Sequence, residues 1–346
     1  MSRSMKNIYL TKRFGNRVSF GFVLIFSLML SLNPVAAQKK YRCDPSKVLT
    51  FEVCSKCHSQ AVATWKKTPH SKTFEQLHRN PRAKAICEKL GLKGSIKRND
   101  TCVECHYTAQ IKGDRIRVVS GIGCESCHGA ASDWINSHAD YGGPTATKHS
   151  ETVEHRNNRI AKSVETGMRI PRNLYSLAQS CLRCHTVPNE KLVNSGGHLA
   201  GSKFELVAWS QGSVRHNFIR SSDGSNTTNS QETLRVMFIV GQIADLELST
   251  RATAKATEKN TFGVVSAKRA AKVAVMLYEI QQEIKNPDLQ TALEAFAKAE
   301  LRINNAEQLD EIANTIMNSG YAFAQNAKGS TLGAVDKLIP PPSQYK

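Results

Sequence analysis

No apolar run in this chain of 346 residues reaches the roughly 20 residues that a membrane-spanning helix requires. The longest, Val18 to Leu32, holds about 15, so no transmembrane segment is expected in the mature chain. Beyond His216 the sequence has neither cysteine nor histidine, so its last third offers no such ligand to a haem and is not itself redox-active. Acidic residues are scarce, 29 against 47 basic ones, and residues 1–37 contain none. Between residues 38 and 219 apolar periodicity is weak, so a conventional side-chain core is not expected there.

Where side-chain core is thin, cysteine and histidine are concentrated. The pattern Cys-x-x-Cys-His occurs four times: Cys54/Cys57/His58, Cys102/Cys105/His106, Cys124/Cys127/His128 and Cys181/Cys184/His185. A zinc site needs cysteine pairs without an obligatory adjoining histidine, and a thioredoxin-like pair occurs once. Four copies read instead as attachment sites for four covalently bound haem c groups. Each cysteine pair would form thioethers and each adjoining histidine would be an axial iron ligand. Cys43 and Cys87 are left over, and form either a disulfide or two buried thiols.

Arg3, Lys6, Lys12, Arg13 and Arg17, the apolar run, and Val35-Ala36-Ala37 before Gln38 make residues 1–37 a secretory signal peptide. Cys43 lacks a lipidation context, and the expected compartment is the periplasm. Without these residues the chain carries 42 basic and 29 acidic side chains. Such an excess can mark nucleic-acid binding. In an exported haem protein it reads as counter-charge for haem propionates, with the remainder steering an acidic redox protein or an anionic small molecule. No nucleic-acid partner is expected.

The expected division is signal peptide 1–37, a tetrahaem cytochrome c domain 38–219 with little regular core, a polar linker 220–230, a helical domain 231–329 and a tail 330–346. The fold class is mainly α. Leu234, Met237, Phe238, Val240, Ile243, Leu246 and Leu248 recur at helical spacing. Val264, Ala267, Ala271, Ala274, Val275 and Tyr278 lie near one face of a second helix. Asn286 and Pro287 start a third, and a fourth follows Asn305. These make a bundle or hairpin pair, serving either as a cap on the haem domain or as a docking surface, a homodimer contact included.

Seven histidines lie outside the motifs. If Ser59–Lys67 is helical, His70 lies too far from His58 to share its iron, and the same holds for His138 relative to His128. Both are expected to ligate other haems. Ser202 and Glu205 read as a capping box opening a short helix, with His198 and His216 on either side and Trp209 on the helix. His216 is the expected sixth ligand of the fourth haem; His198 is its alternative or closes the second. His78, His149 and His155 are expected to face solvent.

The stretches Cys54–His58, Ala63-Thr-Trp65-Lys66, Thr68-Pro-His70, Asp100–His106 and Gly121–Gly129 resemble the cytochrome c-554 family of tetrahaem electron carriers. The resemblance implies a mainly helical fold with closely stacked haem pairs. It also implies that His70 ligates the third haem and His138 the first, and that the iron bound by His106 is five-coordinate. The expected function is electron transfer between redox protein partners. The alternative is an oxidoreductase acting on nitric oxide, hydroxylamine or a similar small compound at the open iron of His106.

Overall fold

The computed structural model describes residues 41–217 and 226–346. The expected signal peptide and most of the expected linker lie outside the described residues.

The first part is a series of short helices: α1 (Phe51–Lys66), α2 (Pro69–Gln76), α3 (Pro81–Lys89) and α4 (Asp100–His106). A hairpin follows, β1 (Thr108–Lys112) and β2 (Arg115–Ser120), and then α5 (Cys124–His128), α6 (Ile135–His138) and α7 (Val153–Glu165). The next are α8 (Leu174–His185), α9 (Glu190–Asn194) and α10 (Leu206–Ser210). Starts are set by local chemistry. Thr68 accepts from Ser71 N ahead of Pro69, Asn80 accepts from Arg82 N ahead of Pro81, and Asn173 caps α8 through Ser176 N. The hairpin closes at Gly113, whose φ of 57° lies in the left-handed region open to glycine. Sequence reading missed it, although Gly-Asp between two β-rich runs is a hairpin signal.

Four long helices follow: α11 (Gln231–Ala254), α12 (Thr261–Ile284), α13 (Pro287–Phe296) and α14 (Ala306–Asn326). Asn286 accepts from Leu289 N ahead of Pro287, as the sequence predicts. The face of α12 differs from expectation. Phe262, Ala270, Val273 and Leu277 are buried, while Val264, Val275 and Tyr278 are exposed. Ala270, Val273 and Leu277 join the core that α11 builds, and Phe262 packs with Val193 and Ala252 in a smaller cluster.

The main core joins α11–α14 to α8 and α10 through Tyr175, Leu182, Leu206 and Val207. Helix α8 ends in the fourth motif, so the apolar core of the C-terminal helices also anchors a motif. A smaller cluster, Cys87, Ile96, Val103, Tyr107 and Ala109, supports the second motif. Among the described residues no helix is long and apolar enough to cross a membrane.

Candidate functional site

Helical spacing brings the two cysteines and the histidine of a Cys-x-x-Cys-His motif onto one side of a turn. All four motifs use it: within α1, at the end of α4, as the whole of α5, and at the end of α8. Each is terminated differently. His58 sits in a kink of α1 with φ −117° and ψ 40°. Tyr107 turns extended after α4. Gly129 ends α5 with φ +91°, where a Cβ would lie 2.2 Å from the Gly167 carbonyl oxygen.

Opposite each motif histidine stands a histidine from elsewhere in the chain. Ring centroids are 6.3 Å apart for His58 and His138, 6.3 Å for His106 and His198, 6.0 Å for His128 and His216, and 6.2 Å for His185 and His70. Two metal–imidazole bonds of about 2.0 Å each, plus the ring radii, place trans ligands about 6 Å apart. The four spacings therefore fit one iron between each pair. Among the described residues no three or more His, Cys, Asp or Glu side chains converge on a metal position. Paired rather than clustered donors suit a metal whose other ligands come from a porphyrin.

Tautomers agree with that use. The Nδ1 atoms of His128, His138, His198 and His216 bond to the carbonyls of Arg169, Ile135, Leu199 and Val214. A carbonyl can only accept, so Nδ1 carries the proton and Nε2 keeps its lone pair. His185 Nδ1 instead meets Ser202 Oγ at 2.8 Å. Burial, then the neighbouring histidines, pushes His106 down to about 4. Burial, then His70, does the same for His185, also to about 4. Both rings are neutral donors at neutral pH.

Pairing differs from expectation for two ligands. The family resemblance implies His70 for the third motif and the sequence predicts His216 for the fourth; the rings lie the other way round, His70 beside His185 and His216 beside His128. Helix α2 is pinned beside the second motif, since Thr73 Oγ1 donates to the His106 carbonyl at 2.8 Å, while its His70 carbonyl accepts from Ile122 N, ahead of the third motif, at 3.1 Å. A Cβ on Gly121 would lie 2.2 Å from that His70 oxygen, so only glycine allows the approach. The fourth motif packs on the second as well, through Cys184 beside Cys105. His70 consequently faces His185. The capping box also fails. Glu205 caps α10 through both carboxylate oxygens, to Val207 N at 3.0 Å and Ala208 N at 2.6 Å, which leaves Ser202 to His185.

Sequence reading gave no role to Arg42 or Arg169. Arg42 donates to the Ser126 carbonyl at 3.0 Å and to Cys184 Sγ at 2.6 Å. Arg169 donates to the Cys127 and Ser126 carbonyls at 2.7 and 2.9 Å. Among the described residues neither guanidinium meets a carboxylate. Both side chains are half-buried, and a charge partly withdrawn from water without a counter-ion is costly. Two such cations among the motif cysteines fit the anionic edge of a haem, and their isolation in sequence explains why no pattern flagged them. Phe204 stacks on His185 at 4.6 Å, and Trp209 and Trp134 stand edge-on to His185 and His138, each at 5.2 Å.

Cys43 and Cys87 are separate buried thiols. Cys43 donates to the Glu125 carbonyl at 3.1 Å, and Cys87 lies against Cys102. His149 is exposed, whereas His78 and His155 are half-buried, the latter bonded to Glu151 at 2.8 Å.

Comparison with known proteins agrees with this construction. Residues 53–129 match the family described as cytochrome c554 and c-prime. Cytochrome c-554 of Nitrosomonas europaea is 33% identical over 96 residues, which is 26% of this chain and 41% of that protein. The match thus spans less than half of the relative. No solved structure matches the chain. Through the segment that carries its first three motifs, the chain is similar to the cytochrome c-554 family of c-type cytochromes.

Proposed function

We propose that this protein is a periplasmic tetrahaem electron carrier in which every iron is closed by two histidines. The axial pairs are His58 with His138, His106 with His198, His128 with His216, and His185 with His70. The observation that carries the reading is the four ring separations of 6.0–6.3 Å. Cys54, Cys57, Cys102, Cys105, Cys124, Cys127, Cys181 and Cys184 supply the thioethers. When bound, the haems supply reversible one-electron chemistry at iron.

The chain's own residues keep the ligands fixed and water away. Carbonyls hold four of the imidazoles by Nδ1, Trp134 walls the His138 ring, and Phe204 and Trp209 wall that of His185. Arg42 and Arg169 offset propionate charge. Residues 38–219 form the haem-bearing part and residues 231–329 its helical cap. The surplus of basic side chains suits an acidic redox protein as partner. A closed second site removes the main support for catalysis on a nitrogen compound, because His198 stands opposite His106.

The test is coordination. Low-temperature EPR of the oxidised full chain is expected to give four low-spin ferric signals, and carbon monoxide is expected to leave the Soret band of the reduced protein unmoved. A high-spin signal, or a carbon monoxide shift of one-quarter amplitude, would restore the open-iron reading.

A further inference from the structure

His185 differs from the other histidines whose Nδ1 bonds are described above. His128, His138, His198 and His216 use backbone carbonyls, whereas His185 uses a side chain, Ser202 Oγ, at 2.8 Å. Ser202 grips the same residue a second time, its N–H donating to the His185 carbonyl at 2.9 Å. The grip is itself held from the C-terminal helices. Arg269 of α12 donates through Nη1 to the Ser202 carbonyl at 2.8 Å. Its other nitrogens fork onto Asp245 of α11, Nε at 2.6 Å and Nη2 at 2.9 Å. Asp245 is 8% exposed, so the anchor lies within the core of that region.

Gly201 completes the arrangement. Its φ is +83°, and a Cβ there would lie 3.0 Å from Arg269 Nη1 and 3.4 Å from the His185 carbonyl oxygen. A side chain at 201 would wedge between the arginine and the strand of backbone it holds.

We propose that Ser202, fixed by Arg269 and Asp245, is a positioning residue that sets the orientation and electron donation of the His185 ring. Through it the C-terminal helices tune the redox level of one haem. The inference rests on His185 being an axial ligand. It gives a function to a region that has no ligands of its own and lies outside the matched segment 53–129. The physical basis is the hydrogen bond at the far nitrogen of a metal-bound imidazole. A stronger acceptor there makes the ring a better donor and favours ferric iron, and loss of the acceptor favours ferrous iron. A hydroxyl is a weak acceptor, poised between those limits. Arg269 adds a fixed cation nearby, and Asp245 offsets it.

Potentiometric titration of the haem-loaded full chain, with EPR on the same samples, tests this. Ser202→Ala is expected to raise, and Ser202→Asp to lower, the potential of the same single component out of four. Each should move its oxidised-to-reduced ratio by about tenfold, or about 59 mV for one electron. Ser202→Thr keeps the hydroxyl and should restore the wild-type value. Arg269→Gln should shift the low-spin g-values of that component alone, since the ring loses its fixed orientation. His185→Met identifies the component, by raising its potential. If His185→Met moves one component while Ser202→Ala and Ser202→Asp move none, the positioning role is overturned and the ligation stands. If His185→Met moves none, the ligation falls and the proposal with it.

Discussion

Helix α1 buries Val62 alone among its 16 residues, and α2 buries none of its eight; α11 buries 18 of its 24. All three are helices, α1 with a kink at His58, yet only the last buries most of its side chains. In α11 the burial runs all the way round and takes in Asp245 and Glu247, each matched by partners. Arg269 pairs with Asp245, while Tyr175, Gln179 and Arg251 bond to Glu247 at 2.9, 2.7 and 2.8 Å. Around α1 and α2 the corresponding space is bounded by histidine pairs, cysteines and two arginines without carboxylates. One region packs side chain on side chain, and on the proposed reading the other packs on haem. The same chain solves the entropy problem of folding in two ways.

That contrast can be broken most severely by removing a haem. Cys124→Ala with Cys127→Ala should collapse amide protection across α1–α7 while α11–α14 keep theirs, read by hydrogen exchange on the full chain. Equal loss in both regions would mean that the two share one source of stability. A smaller effect runs the other way. Ile243 is fully buried in α11, and Ile243→Ala should lower stability by about 2–5 kcal/mol without altering the low-spin EPR spectrum. A changed spectrum would show that the side-chain core reaches the irons directly. Smallest in stability is Gly121→Ala, where a Cβ meets the His70 carbonyl oxygen at 2.2 Å. Overpacking of this kind costs about 1–3 kcal/mol. Because it displaces a ligand-bearing backbone, it should nonetheless shift one low-spin signal. An unchanged spectrum would remove Gly121 from the positioning of His70.

Much of the helical region was legible because its signals are local. Asn286 and Pro287, and the break at Asn305, act within one turn of where they stand. The four motifs are equally local. What could not be read were choices made across the fold. The inner face of α12 was assigned backwards because alanine and valine occur on both sides, and only the placement of α11 decides between them. Ser202 satisfies the capping pattern by sequence, but the carboxylate of Glu205 is nearer the free amides and the hydroxyl is claimed by His185. The spacing of His70 states which iron it does not reach. Which one it does reach depends on α2 lying against the second motif, a contact between residues far apart in the chain. Arg42 and Arg169 give no signal at all until their contacts with the motif backbone are known.

The four histidine pairs have one further consequence, which concerns order along the chain. Their openings, at residues 58, 70, 106 and 128, all precede the first closure at 138, and the closures at 138, 185, 198 and 216 follow in the same order as their partners. The loops therefore overlap without nesting, and no segment between 58 and 216 lies outside all of them. With an iron between each pair, these are cross-links over roughly 80 to 115 residues, each removing chain entropy on the scale of about 4–5 kcal/mol. During synthesis and export the first three motifs must emerge before any of the four pairs can close. On the proposed ligation, a haem on any of the first three motifs would wait half-ligated for a histidine still to come, and the last pair to close, at His216, would tie the whole set together.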